Sequence, residues 1–354
     1  MILNKCQSGM AATYWLNQIG LDNIEKKLYQ ITLTTGNVKS FADEVEKFMS
    51  TGIAVDGILL DATGEAPEEE RYIELIDILV KAGYDRNRIL CIDSGLTFLW
   101  ASNHVILPWW MDHTQQKLNF PINDRTRLFL VLARLAKYHR VKLISKLVEN
   151  GLDSLAVMTC GCNSSDEGSS INNSKLFDEL VPPTIRHKFP IIINNQLVDR
   201  TAGTAEISDD FKRCLVNVVM ETGFENQLFG ANGPPSLSWN RLFYTEKTDK
   251  CFLMDQIPVF LAKKGYVSAL RNIYGFDVFD DIIDHSYDNI DDPFDRISAV
   301  ADECVRISKL GLENLKSIAG LRERFEFNRN QIRIVKNRIH ADSELIMQKW
   351  LEKL

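Results

Sequence analysis

Through the first third of the chain, short apolar runs alternate with amphipathic, charged segments, the pattern of strands buried in a parallel sheet and covered by helices. Val55-Asp-Gly-Ile-Leu-Leu-Asp61 is one such run. Ala66-Pro-Glu-Glu-Glu70 then opens a helix with acidic residues where the positive end of its dipole favours them, and Ile73, Leu75, Ile76, Leu79 and Val80 recur at helical spacing. Arg88-Ile-Leu-Cys-Ile-Asp93 reads as the next strand, with Asp93-Ser-Gly95 as a turn at its carboxyl end. Open α/β sheets bind ligands at that edge, and Asp61 holds the equivalent place on its own strand. A polar stretch from Asp112 to Asp124 reads as the linker between two domains. Beyond it the alternation resumes. Arg127 to Leu132 is a strand, Tyr138 to Asn150 a helix stopped by Gly151, and Ala156 to Thr159 and Leu215 to Met220 are further strands. The Ser-, Asn-, Asp- and Pro-rich region from Cys162 to about Ile207 reads as an irregular insertion or a mobile loop. From Asp292 onward the chain is mostly helical.

A length of 354 residues, 45% hydrophobic and 25% charged, suffices for two domains that each bury a core. The apolar stretches, of which Asn103 to Met111 is among the longest, fall short of the roughly 20 residues that span a bilayer. The N-terminus carries no signal-peptide pattern, so a cytoplasmic protein without a membrane partner is expected. The seven cysteines share no repeated spacing, which fits reduced thiols; the close pair Cys160-Gly-Cys162 has no second pair or nearby histidines to make a zinc site. A net charge of -7 argues against coating nucleic acid through a general positive field but leaves room for a local basic groove.

The segment with the most chemical content is Phe243-Tyr-Thr-Glu-Lys-Thr-Asp-Lys250, followed by the apolar strand Ile257 to Ala262. Thr245 suits an N-cap. An acid and a base side by side at a helix start suit a nucleoside diphosphate, because Glu246 can accept from ribose hydroxyls while Lys247 faces phosphate oxygens drawn to free backbone N–H groups. Taken alone, the same three residues also describe a capped, solvated helix start.

This run resembles the donor-site motif of GT-B glycosyltransferases related to the α-fucosyltransferases. It is closer still to a group of phage and large-virus glycosyltransferases with a Thr-Glu-Lys-Thr-x-Lys helix. In that group a Glu-Thr dipeptide follows a strand, here Val218-Val-Met-Glu-Thr222, and a Leu-x-x-x-x-Gly-Phe-x-x-Phe run follows the helix, here Leu270 to Phe279. Ile283-Asp-His-Ser-Tyr-Asp288 and Arg296 match later positions, and Phe129 to Arg134 with Lys137-Tyr-His-Arg140 matches an earlier strand and helix start. The resemblance covers about residues 125 to 330. Ala133 stands where the group has Asn, and Cys251 where a Pro commonly follows the Lys. The N-terminal part resembles the group only in architecture.

What the resemblance implies is an α/β protein of GT-B type, two Rossmann-like domains facing a central cleft with C-terminal helices. Residues 1–122 would form the acceptor domain, 123–318 the nucleotide-sugar donor domain, and 319–354 a basic helix packing back toward the first. The activity implied is a metal-independent glycosyltransferase with a nucleotide-sugar as co-substrate and no cofactor. Glu246 would bind ribose, with Lys247 and Arg134 neutralising the diphosphate. Thr245, His139, Arg140 and Glu221 would complete the donor site, and Tyr287, Asp288 and Arg296 would mainly hold the domain together. No Asp-x-Asp pair of a metal-dependent transferase accompanies them. An inverting transfer needs a base on the acceptor side. Asp61 and Asp93 are the candidates at strand ends, with Glu65 and Asp112 behind them, and each also fits a turn or capping role. Trp109 and Trp110 would offer an acceptor a stacking platform or fill a core.

Two acceptors follow. The first is a hydroxymethylated or already glycosylated cytosine in phage DNA, since the Lys-, Asn-, Ile- and Asp-rich composition resembles T-even-type phage proteins, in which case the compartment is the host cytoplasm. Arg322 to Arg338 carries six basic residues against two acidic ones, a patch for double-stranded DNA, whose base would have to leave the stack. The second is a carbohydrate or glycan. A non-catalytic nucleotide- or DNA-binding module is the reading of another class, and the presence of both Glu246 and Lys247 speaks against it.

Overall fold

The computed structural model describes residues 2–3, 27–32, 45–62, 69–93, 104–106, 121–133, 136–161, 173–191, 209–221, 224, 242 and 244–354. The protein is α/β, with two parallel sheets, and the chain divides into two compact units. One takes the described residues of Met1–Asp112, Trp239–Phe243 and Ile334–Leu354; the other takes those of His113–Ser238 and Tyr244–Arg333.

The first unit is built on strands β1 (Ile2–Leu3), β2 (Leu28–Thr32), β3 (Gly57–Ala62), β4 (Ile89–Asp93) and β5 (His104–Ile106), all parallel and laid side by side in sequence order. Successive side chains on a strand take opposite faces, so β2, β3 and β4 each contribute to two cores. Tyr29, Ile31, Ile58, Leu60, Ile89 and Cys91 share one core with Val45 and Phe48 of helical residues 45–50 and with Leu75, Ile76 and Leu79 of α1 (Glu69–Lys81). A parallel sheet wound in sequence order with right-handed crossovers carries those crossovers on one face and leaves the other bare. That second face presents Leu28, Leu59, Leu90 and Ile92, and it is covered by Met347 and Trp350, with Ile346, Leu351 and Leu354 beside them, from the far end of the chain. The approach is close enough that a Cβ on Gly57 would stand 2.7 Å from a Trp350 ring carbon.

The second unit holds β6 (Arg127–Ala133), β7 (Ala156–Cys160), β8 (Cys214–Met220) and β9 (Ile257–Leu261), again all parallel, in the order β7-β6-β8-β9. The chain steps from β6 to one side, then returns to the other, so the strand order reverses between β6 and β8. Every residue of β8 is buried, as expected of a central strand covered on both faces. Helix α2 (Tyr138–Glu149) follows β6, buries Val141, Ile144, Leu147 and Val148, and stops where Gly151 takes the left-handed φ of 74°. The region expected to be irregular contains α3 (Asn173–Leu180), whose Phe177 packs on Phe189 at 5.6 Å between ring centroids. A polar composition concealed it, because eight residues with a short apolar face give little periodicity to read.

The remaining helices are α4 (Asp209–Arg213), α5 (Glu246–Leu253), α6 (Tyr266–Asn272), α7 (Pro293–Leu310), α8 (Leu312–Lys316) and α9 (Leu321–Lys353). Asp292 caps α7 by accepting from the N–H groups of Phe294 and Asp295, with Pro293 in the first turn. Through Arg333, α9 belongs to the second unit, and from Ile334 to the first. Among the described residues no helix is long and apolar enough to cross a membrane.

Candidate functional site

Glu221 is the first residue after β8 and its carboxylate is fully buried. A charge so placed is tolerated only if donors surround it. They come from a segment over twenty residues later in the chain. Thr245 Oγ1 donates to Oε2 at 2.6 Å, Thr248 Oγ1 to Oε1 at 2.7 Å and the Tyr266 hydroxyl to Oε1 at 3.0 Å, while the Thr245 N–H lies 3.4 Å from Oε1. Glu221 therefore fastens the head of α5 to the carboxyl end of β8 and ties it to the start of α6, which follows β9. Beside it, the buried Tyr244 hydroxyl donates to Asp249. Burial, reinforced by the Asp249 carboxylate at Tyr244 and by the Glu221 carboxylate at Tyr266, pushes both phenols well above their ordinary pKa. Both stay protonated at neutral pH and act as donors.

Thr245 is the N-cap of α5, its Oγ1 accepting from the Lys247 N–H at 3.3 Å, and the next two side chains reach the surface. Lys247 Nζ lies 3.0 Å from Glu246 Oε1 and 3.3 Å from Thr245 Oγ1. Burial pushes the Glu246 pKa up, but the charge and hydrogen bond of Lys247 and the charge of Lys250 outweigh it and hold the group below the usual carboxylate range. The helix head thus offers an ionised carboxylate that only accepts hydrogen bonds and an ammonium that only donates them.

The start of α2 meets the same strand end. His139 Nε2 is 3.3 Å from the Glu221 carbonyl oxygen, its ring stacks on Phe224 at 5.0 Å, and Arg140 Nη2 donates to the Met220 carbonyl at 3.3 Å. Both side chains are buried and directed at the backbone end of β8, at the point where strand order reverses. Arg134, between β6 and α2, lies outside the described residues. Burial, helped by the nearby charges of Arg140 and Lys137, drops the His139 pKa well below its ordinary value. The folded protein keeps this ring neutral while the unfolded chain protonates it near pH 6.5, so the stabilisation is complete above that pH and is lost as pH falls below it. We expect this residue to make the protein less stable at pH 5.5 than at pH 7.5, by on the order of 1 kcal/mol of unfolding free energy. Urea titrations at the two pH values check this. In His139→Gln the pH dependence should flatten by that amount, and an unchanged difference would remove His139 as its source.

Three further residues of the C-terminal motif turn inward. Asp288 accepts from the N–H groups of Val267 and Ser268 at 3.0 and 2.9 Å, capping α6, and the Tyr287 hydroxyl accepts from the Phe260 N–H at 3.1 Å. Buried Arg296 donates to the carbonyls of Ile290, Ala262 and Asp291 and lies 5.3 Å from the Phe224 ring centroid. These contacts are internal ties of the second unit.

In the first unit, β3 and β4 bring Asp61 and Asp93 to neighbouring strand ends, with Ala62 opposite Asp93 in register. Their side chains, together with Glu65, Trp109, Trp110 and Asp112, lie outside the described residues. In the basic stretch of α9, Arg324 binds Asp277 and Asp281, and Arg329 binds Asp255. Arg324 and Arg329 are therefore committed to the protein's own carboxylates. Arg322, Arg333 and Arg338 are exposed.

Sequence reasoning missed Tyr266, Thr248 and Asp249 as partners of the helix head, and it missed Arg125. The guanidinium of Arg125 is buried and donates to the carbonyls of Phe211, Cys214, Met254 and Asp255, with burial lowering its pKa to about 10. A single Arg before an apolar strand gives no local sign of four backbone partners that lie 86 to 130 residues away. Cys91, Cys160, Cys214, Cys251 and Cys304 are buried, and among the described residues no group of three His, Cys, Asp or Glu side chains is arranged to hold a metal ion. Comparison with known proteins finds no matching family model, no matching curated protein and no matching solved structure.

Proposed function

We propose that the chain is a metal-independent glycosyltransferase of the GT-B type, taking its sugar from a nucleotide-sugar donor bound by the second unit. One observation carries the reading: the Thr245-Glu246-Lys247 helix head is fastened by Glu221 to the carboxyl end of β8, beside the reversal of strand order. Parallel sheets bind nucleotides at that position, and a helix N-terminus attracts phosphate through its dipole and free N–H groups. In this reading Glu246 accepts from the ribose hydroxyls and Lys247 bonds a phosphate oxygen. Departure of a nucleoside diphosphate builds negative charge on that oxygen, and a fixed ammonium there lowers the barrier more than it stabilises the donor. Arg134, from the neighbouring strand end, adds a second cation. Glu221, His139 and Arg140 contribute by fixing the strand end and the helix head rather than by touching the donor. Asp61 or Asp93 takes the proton from the acceptor hydroxyl.

Hydroxymethylated cytosine in DNA is the first acceptor to test and a glycan the second. Duplex docking through α9 would fall first to the exposed Arg322 and Arg333, since Arg324 and Arg329 already hold carboxylates. The experiment is to incubate the protein with radiolabelled nucleotide sugars of several bases, offering hydroxymethylcytosine DNA and mixed glycans in separate reactions. Label in DNA is the expected result. Label in glycans alone would replace the acceptor and keep the chemistry. Absence of transfer together with absence of nucleoside diphosphate binding would overturn the proposal.

A further inference from the structure

The pairing of Glu246 with Lys247 is unusual for neighbours on a helix, whose side chains point about 100° apart and do not ordinarily meet. Here the lysine stem folds back toward the N-terminus of α5, bringing Nζ within 3.0 Å of Glu246 Oε1 and 3.3 Å of Thr245 Oγ1. Thr245 is itself fixed, because its hydroxyl proton is directed at Glu221 Oε2 2.6 Å away, which leaves its oxygen as an acceptor toward Lys247. Both charged side chains are about a quarter exposed, 28% for Lys247 and 26% for Glu246, so water screens the pair less than it would on an open surface.

We propose that Glu246 is a specificity-determining residue that competes with phosphate for the Lys247 ammonium, so that the site accepts a diphosphate only when ribose hydroxyls arrive with it. This inference rests on the donor-site reading above. Inorganic pyrophosphate that draws Lys247 away leaves the Glu246 carboxylate without its ammonium donor and beside a second negative charge. A nucleoside diphosphate makes the same demand on Lys247 but brings two hydroxyl donors to the carboxylate in exchange. Ribose recognition and phosphate recognition are thereby coupled through one ion pair, and the coupling discriminates against free pyrophosphate and phosphate.

Calorimetric titration of the full chain tests this, using inorganic pyrophosphate, uridine diphosphate and guanosine diphosphate as probes on the wild type, Glu246→Gln and Glu246→Ala. The two substitutions should weaken whichever nucleoside diphosphate binds better by about tenfold or more, the cost of losing a charged hydrogen-bond partner. The same substitutions should tighten pyrophosphate binding by about threefold to tenfold, or bring it into the measurable range, because the competing carboxylate is gone. Pyrophosphate affinity that is unchanged, weaker or unmeasurable in both variants, with nucleoside diphosphate binding lost, would overturn the competition while leaving the donor site standing. Nucleoside diphosphate binding that is indifferent to Glu246→Gln and to Lys247→Ala alike would instead remove the donor site itself.

Discussion

Lys247→Ala is expected to lower sugar transfer by at least about 100-fold and to bring nucleoside diphosphate binding down with it, since one lost charge-assisted donor to a developing oxyanion costs that much. The fold should be almost unaffected. Lys247 is partly exposed and its partner Glu246 sits beside it on the same helix, and such pairs contribute no more than about 1 kcal/mol. Thr245 still caps the helix through the Lys247 backbone N–H, and Glu221 keeps its hydroxyl donors. Lys247→Arg should recover part of the binding, because the charge returns but the planar fork cannot occupy the position of a compact ammonium. The measurement is a transfer assay paired with a urea unfolding curve. A variant that transfers sugar at the wild-type rate would sink the assignment, and one that unfolds in far less urea would show that the lysine holds the structure instead.

Trp350→Ala should cost about 3–5 kcal/mol, the range for removing a large buried aromatic side chain. The indole lies over Gly57, packed with Leu28, Leu59, Leu90 and Ile92, and it is nearly three hundred residues from that strand in the chain. Among the described residues its Nε1–H has no hydrogen-bond partner, so the loss is one of packing. Trp350→Phe should therefore retain most of the stability. Gly57→Ala should destabilise the same contact from the other side, by pushing a methyl into the ring, for about 1–3 kcal/mol. Urea denaturation followed by circular dichroism reads all three. A loss under about 1 kcal/mol in Trp350→Ala would mean that the last helix does not cover this face.

How much of this could be read beforehand varied with the range of the interaction involved. Strands β3, β4, β6 and β8 and helices α1, α2 and α5 were legible because each buries a local, periodic set of apolar side chains, and the Thr245 cap was legible because its hydrogen bond spans two residues. The Glu246 and Lys247 pair at the helix head followed from the same short segment. Helix α3 was hidden in a polar stretch whose burial depends on Phe177 finding Phe189. The resemblance to the viral transferases named Glu221, His139 and Arg140 as donor contacts; in the fold Glu221 bonds the head of α5, while His139 and Arg140 bond the backbone at the end of β8.

The chain by itself determined two things: the alternation that makes parallel sheets, and a capped helix start carrying an acid beside a base. Tertiary structure alone decided that a buried carboxylate pins that helix start to a strand end, that Arg125 joins distant carbonyls, and that the final helix covers the bare face of the first sheet. Local patterns record which side chains must leave water, whereas charge satisfaction and the choice of covering surface depend on partners that only the folded chain brings within reach.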